Sequence, residues 1–287
     1  MSGLDDIAAD TILSARDIGR ARRWQPAMKP AFRFGVRRWW RLRFGWQWFR
    51  GDYASWAEAR AASAGYDDQA LLDRVVAAMR EVAAGRAQYE RDGVAFPSPE
   101  VNAPLLARLR ASAARTGGRL DVVDFGGSLG SLWWQHRPEL AQLAAVRWRV
   151  VEQAHYVAAG REFAQENLDF ADSIAAALQE LQPAVIILSS VLPYLENPGA
   201  LLAEAVRHGF AHIIIDRTPF IAGGRTRLVV QHTPPALGGG SYPCWLFDRE
   251  KLLAGLEPAY ELVAEWPSLD ELASHVRHRG FHFQRRR

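Results

Sequence analysis

The residues best suited to chemistry stand together in Asp124-Phe125-Gly126-Gly127-Ser128-Leu129-Gly130-Ser131. A carboxylate closes the apolar run Leu120-Asp121-Val122-Val123, and a glycine cluster follows at once. Such a run bounded by glycine reads as a buried parallel strand. Glycines just after it let the backbone turn sharply and bring its N–H groups close to a ligand. The turn therefore belongs at the carboxyl edge of an open α/β sheet, where nucleotide-type cofactors bind. A dinucleotide fingerprint is Gly-x-Gly-x-x-Gly, its third glycine seating the helix on the strand beneath a pyrophosphate. Here the glycines fall at 126, 127 and 130, and position 131 is serine. Asp124 would repel a pyrophosphate, and a carboxylate there suits a cationic cofactor.

Further acids and hydroxyls recur at the ends of later apolar runs. Val146–Val151 alternates and ends in Glu152, placed to accept from both hydroxyls of a ribose. Leu168–Asp172 reads as a third strand entering a helix over Ser173–Leu181. Ser173 as helix cap with Asp172 as first-turn charge is one account of that junction; Asp172 as a cofactor ligand is the other. Ala184–Leu188 is a fourth strand leaving through Ser189-Ser190-Val191-Leu192-Pro193-Tyr194, and Ala211–Asp216 a fifth, followed by Arg217 and Thr218. Ligands in such sheets lie outside the strand ends, so Asp216, Arg217 and Thr218 are substrate-side candidates. Residues 221–247, rich in glycine and proline and holding Tyr242, read as a long irregular connection, and such loops often carry function. A helix over Asp248–Leu256 and strands over Tyr260–Trp266 and Phe281–Arg285 complete seven strands.

Val-Val-Asp-Phe-Gly-Gly-Ser-Leu-Gly resembles the first motif of class I S-adenosylmethionine-dependent methyltransferases, and the later motifs keep that order over about 116–287. The resemblance implies a Rossmann-like seven-stranded methyltransferase sheet with S-adenosylmethionine as cofactor. It implies that Asp124 works near the methionyl ammonium, that Gly126, Gly127, Ser128 and Gly130 pass close to the cofactor, and that Glu152 holds the ribose. Asp172 is then set against the adenine amino group, with Ser189 in the fourth motif and Tyr194 bordering the substrate. Ser-Ser-Val-Leu-Pro-Tyr departs from the Asp or Asn-Pro-Pro-aromatic pattern of amino-directed nucleic-acid methyltransferases, which counts against base methylation. Gly-Asp-Tyr-Ala-Ser-Trp, Gly-Tyr-Asp and Tyr-Glu-Arg-Asp, ahead of the glycine motif and Val-Glu-Gln, resemble a bacterial methyltransferase family associated with surface-polysaccharide gene sets. The reaction so implied is O-methylation of a sugar or glycan precursor in the cytoplasm. A hydroxyl acceptor needs a base, for which Asp216, His155 and His232 are the candidates. Tyr53, Trp56, Tyr89 and Asp92 are placed to close over the substrate side. A methyltransferase-like scaffold without turnover, and an RNA methyltransferase, are the alternatives.

The elements that must position these groups begin with a basic, aromatic arm over 1–50, then a helical lead over 51–116 and the methyltransferase domain over 117–287. Trp24–Arg50 interleaves nine aromatic side chains with arginines, which suits docking on the catalytic domain, an anionic membrane surface or single-stranded nucleic acid. In the lead, Ser55 with Glu58 forms a capping-box pattern, and helices are expected over about 69–87 and 100–115. A helix over 156–166 follows the second strand. The 287 residues carry a net charge of only +3, and Lys29 and Lys251 are the only lysines. The single Cys244 excludes an internal disulfide and a cysteine-based zinc cluster, and no metal site is expected. No apolar run reaches the length of a membrane span, and no signal peptide is evident.

Overall fold

The computed structural model describes residues 48–65, 68–179, 181–182, 184–221, 224–233, 239–268 and 276–287. All described residues belong to one compact unit. The arm expected over 1–50 thus lies outside the described residues, apart from Trp48, Phe49 and Arg50.

Five apolar runs form a parallel array: β4 (Arg119–Phe125), β5 (Ala145–Val151), β6 (Leu168–Ala171), β7 (Val185–Ser189) and the start of β8 (His212–Ile221). β12 (Val276–Arg285), antiparallel to β8, and β11 (Tyr260–Pro267), which pairs antiparallel with β12 and so runs parallel to β8, extend the sheet. The order is β11-β12-β8-β7-β4-β5-β6. This is the Rossmann-like α/β methyltransferase sheet, with its antiparallel strand inserted between the last two. Chain order reverses about β4, flanked by β5 and β7, so the crevice of the sheet opens above the glycine turn.

Strands in such a sheet are apolar on both faces because helices cover both. Leu120, Val122, Trp148 and Val150 pack against α2 (Asp68–Ala83), α3 (Ala103–Ala114) and α4 (Ser131–Leu140). Val123, Val151, Ile186 and Ile213 turn the other way, onto α6 (Ile174–Ala177), α7 (Pro198–His208) and α8 (Arg249–Ala254). The helix expected over 156–166 is shorter: α5 spans Ala154–Gly160, and a single 3₁₀ turn at Arg161–Phe163 follows. Among the described residues no helix is long and apolar enough to cross a membrane.

The connection over 221–247 is not irregular. β9 (Arg227–His232) and β10 (Ser241–Leu246) form an antiparallel pair within it, and β1 (Phe49–Tyr53) adds to β9. Leu228 and Val230 face α1 (Trp56–Ala61), while Val229, Cys244 and Leu246 bury the opposite face. Glycine and proline mark the turn between these strands, and their density hid two short apolar segments. A second hairpin pairs β2 (Tyr89–Arg91) with β3 (Val94–Phe96) across Asp92-Gly93. Both turn residues have positive φ, 53° and 75°, as a two-residue hairpin turn requires. Ser55 caps α1 by accepting from the Glu58 N–H at 3.2 Å. The Glu58 carboxylate returns to the Ala54 N–H rather than to that of Ser55, so the capping box closes one residue early.

Candidate functional site

The site is built where β4 gives way to α4. At Gly126 the backbone takes φ +73°, and an added Cβ would lie 2.6 Å from Val191 Cγ2. An added Cβ at Gly127 would lie 2.5 Å from Asp124 Oδ2, so the turn folds directly over that carboxylate. Gly130, also at positive φ, is the N-cap of α4. Ser128 sits between them at φ 56° without being glycine. The same left-handed conformation occurs at Ser190 beyond β7 and at Arg217 in β8. Three strained residues on adjacent strands thus mark one edge of the sheet, and strain of this kind concentrates at functional sites.

Asp124 is buried. The Trp148 indole N–H donates to its Oδ2 at 3.1 Å, while Oδ1 has no hydrogen-bond partner. Burial, aided by the charge of Glu152, pushes its pKa up to about 7, against the lowering effect of Trp148. Glu152, at the end of β5, accepts from the Ser128 N–H at 3.2 Å and the Gln153 N–H at 3.0 Å. Burial raises its pKa as well, opposed by those two backbone donors and by His155. A buried acceptor without a donor costs free energy unless a group from outside supplies one. Two carboxylates beside a glycine turn fit a cation with N–H or O–H donors and oppose a pyrophosphate. The residues present therefore suit a cofactor with an ammonium and a ribose.

Asp172 is exposed just past β6, and the Ser173 hydroxyl donates to its Oδ1 at 3.2 Å. Ser173 caps α6 by accepting from the Ala176 N–H at 3.2 Å. Ser189 ends β7 in register with Asp216 of β8, and the Ser190 N–H donates to the Asp216 carbonyl at 3.0 Å.

On the other side of the crevice the polar groups converge on Tyr194. Its hydroxyl donates to Gln231 Oε1 at 3.1 Å, and its ring meets Tyr242 edge-on at 5.3 Å. Tyr242 in turn shares a 3.0 Å hydrogen bond with Thr233. Burial raises the Tyr194 pKa well above its ordinary value, and Cys244, Tyr242 and Asp92 add to this while Arg217 opposes it. Arg217 acts in the same sense on Tyr89, whose pKa burial raises to about 12. Arg217 thus lies between the β2–β3 hairpin and the exit of β7. The hairpin is fixed from below: Glu90 accepts from the Gly93 N–H at 2.8 Å and from the Ser131 hydroxyl. Arg91 bonds Glu100 at 2.6 Å, and Tyr89 donates to the same carboxylate at 3.3 Å.

The candidate bases fall apart in space. Asp216 is buried, accepting from Asn102 Nδ2 at 2.8 Å and from the Trp266 indole N–H at 3.0 Å. Because Asn102 also caps α3, Asp216 ties the start of that helix to the sheet. Thr218 is fully buried and donates to the Asp216 carbonyl at 3.1 Å. His155 is exposed beside Tyr156, on the Glu152 side. His232 alternates with Gln231 along β9, so it points away from Tyr194, and burial then Arg50 lowers its pKa. Trp56 stacks on Trp245 at 6.2 Å, and Tyr53 packs with it on the small sheet, not on Tyr194. Sequence reasoning missed Glu90, Asn102, Gln231 and Trp266. Only Glu90, next to a legible Asp-Gly turn, had a signal that would have found it.

No family model and no curated protein matches the chain. Among solved structures it is similar to the N-terminal domain of EvdMO1, determined with SAH and D-fucose. That likeness has 17% identity over 77% of this chain and 98% of that one, with a TM-score of 0.44. It is similar also to the Burkholderia thailandensis 1,6-didemethyltoxoflavin-N1-methyltransferase, at 14% identity over 83% and 93% of the two chains and TM-score 0.44. A third likeness is to CalS10, an amino pentose methyltransferase from Micromonospora echinaspora. It has 14% identity over 64% and 89% of the chains and TM-score 0.41. The strand order and register given above, rather than these likenesses, establish the fold.

Proposed function

We propose that the chain is an S-adenosylmethionine-dependent methyltransferase acting on a hydroxyl of a sugar or glycan precursor used in a bacterial surface polysaccharide. One observation carries the cofactor: Asp124 Oδ1 is buried without a donor beneath a glycine turn, beside Glu152. When bound, the cofactor supplies an electrophilic methyl group on a sulfonium. Asp124 accepts from its ammonium, Glu152 from its ribose, and Ser128 and Gly127 shape the turn around it. Asp172, past β6, borders the adenine side, and Ser189, at the end of β7, borders both cofactor and substrate.

Tyr194, Tyr242 and Arg217 orient the acceptor, and the β2–β3 hairpin excludes water from above. Asp92 is the carboxylate that acts on Tyr194 from the hairpin, and it is exposed. In this reading Asp92 takes the hydroxyl proton, Asp216 holds α3 in place, and His155 and His232 stand outside the reacting atoms. The helical lead supplies the acceptor side of the cleft. The reaction belongs in the cytoplasm, and the composition of residues 20–50 supports contact of the arm with the inner membrane face.

Calorimetric titration of S-adenosylmethionine and S-adenosylhomocysteine into wild type and Asp124→Ala tests the cofactor. Micromolar binding by wild type that the variant loses is the expected result. Equal binding by both, or by neither, overturns the reading.

A further inference from the structure

At the opposite, amino edge of the sheet a cleft lies between α3 and strands β8, β11 and β12. It is lined by Arg108, Arg115, His212, His282, Gln284 and Val263, with a volume of about 210 Å³. Arg108 and the C-cap residue Arg115 are seven residues apart, two helical turns or about 10 Å along the axis. They therefore point into the same cleft. Among the described residues neither guanidinium pairs with a carboxylate. Opposite them His212 and His282 share a 3.0 Å hydrogen bond between ring nitrogens, and both rings are buried. His282 Nδ1 is buried with no partner.

We propose that this cleft is a binding site for a small phosphate-type polyanion, separate from the methyl-transfer site. Two unpaired arginines, two imidazoles and a glutamine offer donors, and the cleft lining carries no acid. Guanidinium groups match phosphate oxygens in pairs. Two guanidiniums on one lining offer more donors than a single phosphate face uses, and so suit an anion with more than one phosphoryl group. The volume lies below the usual range for drug-sized organic ligands, so the cleft takes the anion itself or the phosphoryl end of a larger molecule.

The imidazoles add a dependence on pH. Burial, then Arg115, lowers His212 to about 4; burial, then His212 and Arg108, lowers His282 to about 3. Charged groups near this end of the sheet include Glu261, opposite Gln284 in register, and Arg285, whose guanidinium donates to the Gly209 carbonyl at 3.3 Å. An anion between the arginines offsets the part of this lowering that comes from their charge, so a bound anion raises the pKa of both rings.

The experiment is titration of pyrophosphate, and separately inorganic phosphate, into the full chain at constant ionic strength made up with chloride. Wild type is expected to bind pyrophosphate saturably and at least tenfold more tightly than phosphate. The Arg108→Gln/Arg115→Gln variant is expected to lose at least tenfold in affinity. Imidazole NMR signals that vanish in His282→Gln should move on saturation of wild type. No saturable binding overturns the proposal, as does binding unchanged in the double variant. Pyrophosphate binding that S-adenosylhomocysteine displaces places the anion at the glycine turn and overturns it equally.

Discussion

Glu90, carried on the β2–β3 hairpin, accepts a hydrogen bond from the hydroxyl of Ser131 in the first turn of α4. One buried carboxylate thereby joins the acceptor side of the cleft to the helix that begins at the glycine turn. It also accepts from the Gly93 N–H, which holds the left-handed Asp92-Gly93 turn in place. Glu90→Ala leaves both donors without an acceptor and opens a cavity. A loss of roughly 2–3 kcal/mol is expected, or about 4–12 °C in melting temperature. Glu90→Gln keeps the shape and an acceptor and should recover most of this. Calorimetric melting of both variants checks the pair; equal melting temperatures for Ala and wild type would show that the latch carries no stability.

Asp124 sets a pH dependence whose sign follows from its environment. Burial pushes its pKa up to about 7, and Glu90 is raised likewise, first by burial, to about 7. The folded chain holds these protons to a higher pH than the unfolded chain, whose carboxyls titrate near ~4. Between those limits the unfolded state binds fewer protons, so stability falls as pH rises. Asp124→Asn should flatten this slope. It should melt higher than wild type at pH 8 and lose that advantage near pH 4, while abolishing cofactor binding. A variant destabilised more at pH 8 than at pH 5 contradicts the account.

The same carboxyl links cofactor binding to proton release. A cation beside Asp124 favours its ionised form, so binding of S-adenosylmethionine should tighten as pH rises through the range near 7. Calorimetry in buffers of different ionisation enthalpy reads the released proton directly. Binding that is flat from pH 6 to 8 and releases none argues that the ammonium lies elsewhere.

Gly280 leaves room for Trp266. A Cβ at Gly280 would meet Trp266 Cε2 at 2.1 Å, and the same indole donates to Asp216. Gly280→Ala must push the ring aside, at a cost of about 1–3 kcal/mol for overpacking, and strips a donor from a buried carboxylate. Melting should fall, and indole fluorescence should report a more exposed tryptophan. An unchanged spectrum and stability would show that the strand shifts instead.

Asp92 is expected to separate chemistry from binding. Asp92→Asn should lower kcat about 100-fold or more with S-adenosylmethionine affinity unchanged. His155→Ala and His232→Ala should keep kcat within a few-fold of wild type. A 100-fold loss in either histidine variant would move the base to that residue.

The parallel sheet was legible because its strands are short, mostly apolar or alternating segments, several of them closed by an acid or glycine, as Val122–Gly127 shows. The glycine turn and Glu152 were legible for the same reason: one turn and the next strand end lie within a short stretch. The acceptor side was not. Gln231, Asn102 and Trp266 reach the cleft from separate elements, and nothing local in sequence distinguishes them. Asp216 looked like a base because it ends an apolar run, yet its partners Asn102 and Trp266 come from opposite directions across the fold. The β9–β10 pair was obscured because turn residues outnumber apolar ones in its connection, although Leu228-Val229-Val230 is buried on both faces.

β1 enters its sheet beside β9, with Phe49 opposite Gln231, and more than half of the chain separates the two. During synthesis the earlier strand has no partner until β9 has emerged, so this sheet closes late. The waiting strand is protected by its own composition. Arg50, Gly51 and Asp52 are exposed along it, and charge and glycine discourage pairing with a foreign edge. Because Tyr194 bonds to Gln231 in that sheet, the Tyr194 side of the crevice closes only after β9 has emerged, later than the glycine turn. The order of assembly therefore runs from the glycine turn to Tyr194.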